Sequence, residues 1–478
     1  MQSDLDSYTT LQSSVGSQMT YETHAVDPYL LNDSQIADPP SNWFERLKQI
    51  GPGLILSASV VGSGELVATT TLGATAGFTM LWIILMSCTV KVAIQLEFGR
   101  YTIQHGETCM AAMNRLPGGR WGQAHWSIWI IMLLQPIKIL QMGGIMGGLA
   151  MVMHIWFPGV SKAEWCWASA VVVAGLVAVR KYWFVERVCL VMLGLFTLLT
   201  LSSVVLLQWS GFAISWQDIS SGLRGHIPEG ALIFMIGTFG LTGVGGDEIL
   251  HYNYWLLEKG YAAQTGPYQE DDPEWLARAR GWIRVMYLDA ILSMCAYTLV
   301  TAAFYLLGAA ILHSRGEVPQ GDALIDTLST VYTETFGVWG KSLFLCGAFV
   351  VLFSSLFAAL AAWVRMYADA FGQMGWIDFG DMAVRRRVIT GLACLIPACW
   401  ACAFLFVKQP VIMVIAGGVA TAVILLLVVY AAVYFRYSRT HKALRPGVLY
   451  DIAFWISTLA IVAVAIYTVY SKLGSSGG

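Results

Sequence analysis

The 478-residue sequence is 57% hydrophobic, only 12% of its residues are charged, and its formal net charge is −2. A soluble domain carries about 25% charged residues, so this composition excludes a soluble globule and predicts an all-α polytopic membrane protein. The charges form no basic stripe, and we therefore expect lipid rather than nucleic acid around the chain.

The chain begins with a polar segment, residues 1–42, that lacks the basic stretch of a signal peptide. Its content of Ser, Thr, Asp and Gln predicts a disordered cytoplasmic tail. A membrane domain is predicted over residues 43–472. Residues 473–478 read Leu-Gly-Ser-Ser-Gly-Gly and are predicted to be a linker-like tail.

A membrane-spanning helix needs about 20 apolar residues, and about eleven such runs follow the tail. They cover residues 51–76, 79–103, 127–157, 164–180, 184–208, 231–258, 283–312, 338–371, 388–406, 410–435 and 450–471. Lys and Arg fall about twenty to six on the side of the N-terminus. By the positive-inside rule, this asymmetry predicts an N-terminus inside and a C-terminus outside a cell (inner) membrane.

Two of these runs, the first and the sixth, are interrupted by glycines and end in acid, at Gly62-Ser63-Gly64-Glu65 and at Gly243–Glu248. Glycine costs about 1 kcal/mol relative to Ala inside a helix, and a carboxylate at membrane depth is costly and usually functional. Two broken spans lying five spans apart predict inverted five-helix repeats, at about 50–208 and 231–436, plus an extra helix at 450–471.

The broken helices supply the candidate site. Unwound backbone frees carbonyl and amide groups that face a substrate in a dry cavity. The predicted substrate-binding residues are Gly62, Ser63, Gly64, Glu65, Gly243, Gly245 and Asp247. Glu65 and Asp247 are predicted metal ligands, because oxygen-rich anionic sites suit Mg²⁺, Mn²⁺ or Ca²⁺. For each acid, a structural carboxylate hydrogen-bonded across the break is the alternative.

Residues that follow Asp247 are less readily assigned. Glu248 is adjacent on the same helix, and adjacent helical residues do not face one site, so Glu248 is left outside the predicted ligand set. About one turn further lie polar and aromatic side chains that either line an inner vestibule or pack: His251, Tyr252 and Asn253.

Other charges inside the predicted spans need partners or a cavity. They are Lys91, Glu97, Lys138 and Asp289, and they fit either a proton relay or internal ion pairs. The small residues Gly143, Gly144, Gly147 and Gly148 on span 3 predict close helix packing. The cysteine cluster Cys394, Cys399 and Cys402 lies within a span and is interpreted as small core residues rather than metal ligands. No cofactor is expected.

The segments that flank the first break carry a family resemblance. Ile50-Gly51-Pro52-Gly53-Leu54 and Ala76–Trp82 resemble the flanks of the first helix in the NRAMP family of proton-coupled divalent metal transporters. The resemblance continues more weakly through Asp289 and Ser354-Ser355, and topology extends it over about 45–472. It implies a bundle with broken helices 1 and 6 and transport of a divalent cation.

The binding signatures of that family are replaced here. Its first-helix Asp-Pro-Gly-Asn corresponds to Gly62–Glu65, and its sixth-helix Met-Pro-His corresponds to Gly245–Asp247. Loss of the soft Met sulfur favours a harder ion, Mg²⁺ or Mn²⁺, over Fe²⁺. Span 3 carries Gln135, Lys138 and Gln141 where the family has acidic residues linked to proton movement, which predicts a diverged member without the usual proton route.

The Gly-Ser-Gly of the first break also resembles transporters of the amino acid–polyamine–organocation superfamily, in which helix-end amides hold a substrate carboxylate.

We therefore predict a monomeric secondary-active carrier of a divalent cation, with a carrier of an amino acid or amine as the alternative. A channel or a transporter-like sensor is a further possibility. An enzyme is not expected, because no nucleophile–base set or metal-ligand spacing is present.

Overall fold

The computed structural model describes residues 27–62, 64–179, 182–228, 231–270, 272–320 and 323–475. The described chain is mostly helical, with one antiparallel hairpin of β1 (Arg120–Trp121) and β2 (Ala124–His125). Several residues named above lie outside the described ranges, including Ser63 and the tail residues 1–26 and 476–478.

The α-helices up to the end of span 5 and its following loop are α1 (Trp43–Gln49), α2 (Pro52–Val60), α3 (Thr70–Ala76), α4 (Leu81–His105), α5 (Cys109–Asn114), α6 (Trp126–Trp156), α7 (Lys162–Ala178), α8 (Tyr182–Leu207) and α9 (Trp216–Gly222). Those that follow are α10 (Leu232–Leu241), α11 (Gly246–Lys259), α12 (Tyr261–Thr265), α13 (Pro273–Leu307), α14 (Leu324–Phe336), α15 (Gly340–Gln373), α16 (Met382–Val407), α17 (Pro410–Tyr434) and α18 (Val448–Ser475). Segments of π-helix lie at Gly64–Thr69, Gly308–His313 and Phe435–Arg439.

The helices match the predicted spans in number and order. Within the described ranges, eight helical stretches are long and apolar enough to cross a membrane: Gly64–His105, Trp126–Trp156, Tyr182–Leu207, Pro273–His313, Gly340–Gln373, Met382–Val407, Pro410–Arg439 and Val448–Tyr467. Span 4 is the shorter helix α7, with 17 residues. Spans 1 and 6 are each divided, into α2 with α3 and α10 with α11. The predicted fold class, with broken helices 1 and 6 and one extra helix, is confirmed.

Glycines on span 3 hold α6 close to its neighbours, as predicted. A Cβ on Gly143 would lie 2.9 Å from the carbonyl oxygen of Trp400 in α16, and one on Gly144 would lie 2.8 Å from the carbonyl oxygen of Pro410 in α17. Small residues allow such backbone approach in membranes. This packing places the middle of α6, which carries Lys138, directly against α17.

The first turn of span 1 is held in place by Asp289 of α13. The Asp289 carboxylate accepts hydrogen bonds from the backbone amides of Gly51 (2.9 Å) and Gly53 (2.7 Å) and from the hydroxyl of Tyr252 (3.1 Å). The first amides of a helix lack intrahelical partners, and an anion is favourable there. Asp289 thus acts as a helix cap supplied by another span rather than as one half of an ion pair.

The N-terminal segment departs from the prediction of a disordered tail over residues 27–42. Asp27 pairs with Arg385 of α16 (Oδ2 to Nη2, 2.5 Å), and the Tyr29 hydroxyl donates to Glu258 of α11 (2.6 Å). Glu258 is also paired with Arg365 of α15. Burial, followed by the charge of Glu258, raises the pKa of Tyr29, so its hydroxyl remains a donor. The polar composition of the segment could not predict these contacts, because the partners lie more than two hundred residues away in sequence.

Replacing Arg385 with alanine is expected to release residues 27–29 from the bundle. A hydrogen bond between charged groups contributes about 1.5–3 kcal/mol, so amide exchange in this segment should accelerate at least about tenfold. Hydrogen–deuterium exchange with mass spectrometry on the purified protein measures this. Arg387→Ala is the matched control, since Arg387 lies on the same helix, is exposed, and contacts its own helix backbone. Equal exchange in both variants would show that the Asp27 pair does not hold the segment.

Candidate functional site

The first break separates α2 from the π-helical segment Gly64–Thr69. The amide of Val61 still bonds to Ser57 (2.7 Å), but the amide of Gly62 turns back to the carbonyl of Val60 (2.7 Å). A Cβ on Gly62 would overlap the Ser355 hydroxyl oxygen of α15. Glycine at this position therefore allows the close approach of span 8. Ser63, predicted to bind substrate, lies outside the described residues.

Glu65 is fully buried directly after this break. Its Oε2 accepts a hydrogen bond from the backbone amide of Gly62 (3.2 Å), and its Oε1 accepts one from the Thr301 hydroxyl of α13 (3.1 Å). The carboxylate thus closes the break that the glycines open. These two bonds are those expected of the structural alternative, while its ligand role stays a prediction.

The second break lies between α10 and α11, at Thr242–Gly245. Gly243 adopts a left-handed backbone with φ of 64°, which favours glycine. A Cβ on Gly243 would also lie 2.7 Å from the Cα of Cys88 in α4. Both the turn and the proximity of span 2 therefore explain glycine at this position.

A lysine from span 2 occupies the carbonyl end of α10. The Lys91 ammonium donates to the carbonyls of Phe239 and Thr242, the latter at 2.7 Å, and it lies 4.6 Å from the centre of the Phe239 ring. The Ser87 hydroxyl contacts the same two carbonyls, at 3.0 and 3.1 Å. Carbonyl ends of broken helices attract cations. In this chain the Lys91 ammonium occupies that position in place of a free cation.

Asp247 lies in the first turn of α11 and is 2% exposed. The Lys138 ammonium of α6 lies 2.7 Å from its Oδ2. Lys138 also donates to Gln141 Oε1 (2.5 Å) and to the Thr421 hydroxyl of α17. Within the described ranges, neither Asp247 oxygen accepts a hydrogen bond of ordinary geometry. The carboxylate is therefore neutralised by charge but not held in a fixed orientation by hydrogen bonds.

These groups line a cavity of about 30 Å³ at the second break. Its wall combines residues from spans 1, 3, 6 and 8: Ser59, Lys138, Gln141, Met142, Ile145, Asp247, Glu248, His251, Ser355, Ala359 and Trp363. Glu65 is not on this wall. The structure therefore brings Asp247 to the cavity, while Glu65 lies at the first break with its own partners.

The position of Glu248 contradicts the expectation that adjacent residues of a helix do not face one site. It lines the cavity together with Asp247, and its Oε2 occupies the space that a Cβ on Gly245 would need. The long side chain therefore folds back over the start of α11, which is possible because Gly245 has no side chain. At the first turn of a helix, two adjacent acids thus reach one cavity.

The residues after Glu248 divide between cavity and packing. His251 lines the cavity, and its Nε2 has no hydrogen-bond partner among the described residues. Tyr252 faces the other way, toward Asp289. Asn253 is fully buried, and its side-chain amide has no partner within the described ranges. His251 is thus the member of this group that the structure adds to the site.

A preformed ligand cluster is absent from the part of the chain that the structure describes. No group of three or more His, Cys, Asp or Glu side chains there is placed to hold a metal ion. At the second break, the Lys138 ammonium lies beside the Asp247 carboxylate, at 2.7 Å from Oδ2.

Comparisons with known proteins agree with this architecture. Residues 53–471 match the family model described as "Natural resistance-associated macrophage protein-like", or Nramp. An uncharacterised protein of Pasteurella multocida is 22% identical over 339 residues, which is 69% of this chain and 72% of that protein.

Solved structures share the fold at low sequence identity. A manganese transporter of Eremococcus coleocola, solved as a histidine-to-alanine mutant, is 14% identical, with a TM-score of 0.64 over 94% of this chain and 92% of that one. MhsT, solved in complex with L-phenylalanine, is 13% identical, with a TM-score of 0.55 over 90% of this chain and 99% of that one.

Proposed function

This chain belongs to the Nramp family of membrane transporters, and we propose that it carries a divalent cation by alternating access around the two broken helices. The observation that carries the proposal is the small cavity at the second break, whose wall holds Asp247, Glu248 and His251. Sites at such breaks, near the middle of the membrane, serve substrate binding in carriers of this architecture.

The size of the cavity favours an ion. Sites for organic ligands usually enclose about 300–1,000 Å³, whereas this cavity measures about 30 Å³. About 10–15 Å³ of such space holds one water molecule. The space at Asp247 therefore suits a small cation with a partner water, and an amino acid requires a much larger opening between α6, α11 and α15.

Charge also favours a cation. The groups around the two breaks comprise three carboxylates and two ammonium groups, which leaves one excess negative charge when His251 is neutral: Glu65, Asp247, Glu248, Lys91 and Lys138. An unbalanced negative charge at membrane depth is costly. A cation that binds at Asp247 and Glu248 offsets this negative charge, and a divalent one leaves a single positive charge beside Lys138.

Ligand type narrows the choice of ion. The carboxylates of Asp247 and Glu248 and the hydroxyls of Ser59 and Ser355 are hard oxygen ligands, which suit Mg²⁺ and Mn²⁺. Met142 adds a thioether to the wall, so a softer ion such as Fe²⁺ belongs among the test substrates. We take Mn²⁺ or Mg²⁺ as the substrate, with a cytoplasmic N-terminus and a monomeric carrier in the cell membrane.

The proton route proposed for the family has no acidic groups on span 3 in this chain. Gln135 accepts a hydrogen bond from the Tyr367 hydroxyl (2.6 Å), and Gln141 accepts one from Lys138. Neutral amides do not carry protons under physiological conditions. We therefore propose that transport does not depend on a proton moving along α6.

Uptake into sealed proteoliposomes tests the function. The purified full chain is expected to give saturable uptake of Mn²⁺ or Mg²⁺ without acidification of the lumen, followed with a trapped pH dye. Fe²⁺ and a panel of amines and amino acids are measured in parallel. Saturable uptake of an amino acid with no divalent-cation uptake would replace the proposal with the organic-substrate alternative. Binding without any uptake would indicate a sensor.

Glu65 provides a second test within the same assay. If Glu65 is a ligand, Glu65→Gln is expected to lower cation uptake at least about tenfold, as loss of groups near a bound metal commonly does. Thr301→Val is the matched control, because it removes a hydrogen-bond donor to Glu65 but keeps the carboxylate. An equal, small effect of both variants would assign Glu65 to the structure of the break.

A further inference from the structure

Lys138 differs from the other buried lysine near the site in the kind of acceptors that surround it. Its ammonium contacts one charged acceptor, Asp247 Oδ2, and two neutral ones, Gln141 Oε1 and the Thr421 hydroxyl. These acceptors belong to three helices, α11, α6 and α17. Lys91, in contrast, is held by backbone carbonyls and an aromatic ring.

We propose that Lys138 is a tethered competitor for the cation site. Its ammonium neutralises Asp247 while the site is empty, and a divalent cation displaces it onto Gln141 and Thr421. This inference rests on the proposed function, since it requires that a cation binds at Asp247. Lys138 then sets the affinity of that site for the cation.

The contacts make the displacement feasible. Lys138 is buried, and its ammonium needs acceptors wherever it lies. Gln141 and Thr421 already accept from it, so breaking the contact with Asp247 does not leave the ammonium unsatisfied. Asp247 has no other described hydrogen bond that its reorientation toward a cation would break. The exchange therefore leaves the ammonium with two acceptors and breaks no other described hydrogen bond of Asp247.

The competition also favours a divalent ion over a monovalent one. Attraction to a carboxylate doubles with the charge of the cation at equal distance, so Mn²⁺ or Mg²⁺ gains more from Asp247 than an ammonium or Na⁺ does. After displacement, the Lys138 charge remains beside the bound ion and repels it. This repulsion lowers affinity and favours release, which a carrier needs in each cycle.

The contacts of Lys91 explain why a cation is expected to displace a lysine at only one place on span 6. The carbonyls of Phe239 and Thr242 are occupied by an ammonium that pairs with no carboxylate within the described ranges. A diffusing cation at this helix end would have to displace two direct contacts to the lysine and a cation–π contact. The exchangeable position is therefore the one at Asp247.

Equilibrium binding of Mn²⁺ and Mg²⁺ to the purified full chain, measured by titration calorimetry, tests the inference. Lys138→Met and Lys138→Gln are expected to tighten binding about 5- to 150-fold, the usual range of coupling between two sites. Maximal uptake by the same variants should fall, because release slows. Lys138→Arg retains the competing charge and should bind more weakly than Lys138→Met.

The control is Lys341→Met, which removes an exposed lysine paired with Asp326 and should not change the affinity. Lys138→Gln covers the case in which Lys138→Met fails to fold, since its amide is polar but uncharged. Unchanged or weaker binding in folded Lys138 variants, with normal binding by the wild type, would overturn the competitor role alone. Absence of divalent-cation binding by the wild type would overturn the proposed function.

Discussion

Replacing Asp247 with asparagine is expected to abolish divalent-cation uptake and to destabilise the protein. Loss of a group in the second shell of a metal commonly costs about 10- to 100-fold in affinity or activity, so loss of a direct ligand should cost at least about 100-fold. The stability effect arises from Lys138, whose buried charge loses its counter-charge. Breaking a buried ion pair by removing one partner costs about 3–5 kcal/mol.

The two effects are separated by a second variant. Asp247→Asn with Lys138→Met removes both charges, so most of the stability is expected to return while uptake stays absent. Unfolding in one fixed detergent and uptake per folded molecule are the two measurements. Because Gln141 and Thr421 still accept from Lys138 in Asp247→Asn, we expect a loss at the lower end of the range, about 3 kcal/mol.

An exposed pair of the same chemistry serves as the control. Lys341 lies 2.9 Å from Asp326 with both side chains about half exposed. Exposed ion pairs contribute little, so Asp326→Asn should alter neither stability nor uptake measurably. If Asp247→Asn retains uptake, the cation does not bind at Asp247, and the cavity serves another purpose.

Whether a feature of this site can be predicted from the sequence depends on how far apart the contacting residues lie in the sequence. The breaks at Gly62 and Gly243 were predictable, because glycines and acids inside apolar runs are local signals. The partner of Asp247 was not, since Lys138 lies 109 positions earlier and is brought near only by the packing of α6. The sequence indicated that Lys138 needs a partner, but it did not identify that partner.

The orientation of individual side chains was also beyond the sequence. Glu65 bonds to Thr301, 236 positions away, so its position behind the first break depends on α13. Glu248 reaches the cavity because Gly245 leaves space for its side chain, a consequence of shape rather than of helical periodicity. Asp289 was placed correctly inside the bundle, but its partners are backbone amides rather than a charged side chain.

Glu97 offers the second large effect, in a network remote from the cavity wall. The fully buried Glu97 carboxylate of α4 pairs with Arg100 through Oε2 and with Arg436 through Oε1, the latter at 2.8 Å. Arg436 also pairs with Asp451 of α18. Two carboxylates, Glu97 and Asp451, therefore balance the two buried guanidinium groups, and the network links span 2 to the segments on either side of the loop before the extra helix.

Glu97→Gln is expected to destabilise the protein by about 3–5 kcal/mol, because the buried Arg100 loses its counter-charge and Arg436 keeps only the half-exposed Asp451. Thermal and denaturant unfolding of the purified protein measure the loss. Asp451→Asn is the control within the same network, since Asp451 is 38% exposed and water replaces part of its contact. The effect of that variant should be much smaller.

The same variant distinguishes a structural charge from a proton carrier. If Glu97 only balances Arg100 and Arg436, the folded fraction of Glu97→Gln keeps the cation affinity and the pH dependence of uptake of the wild type. If Glu97 carries protons, the pH dependence changes even where stability does not. The ion pairs favour the first outcome, because they give Glu97 a structural role between Arg100 and Arg436.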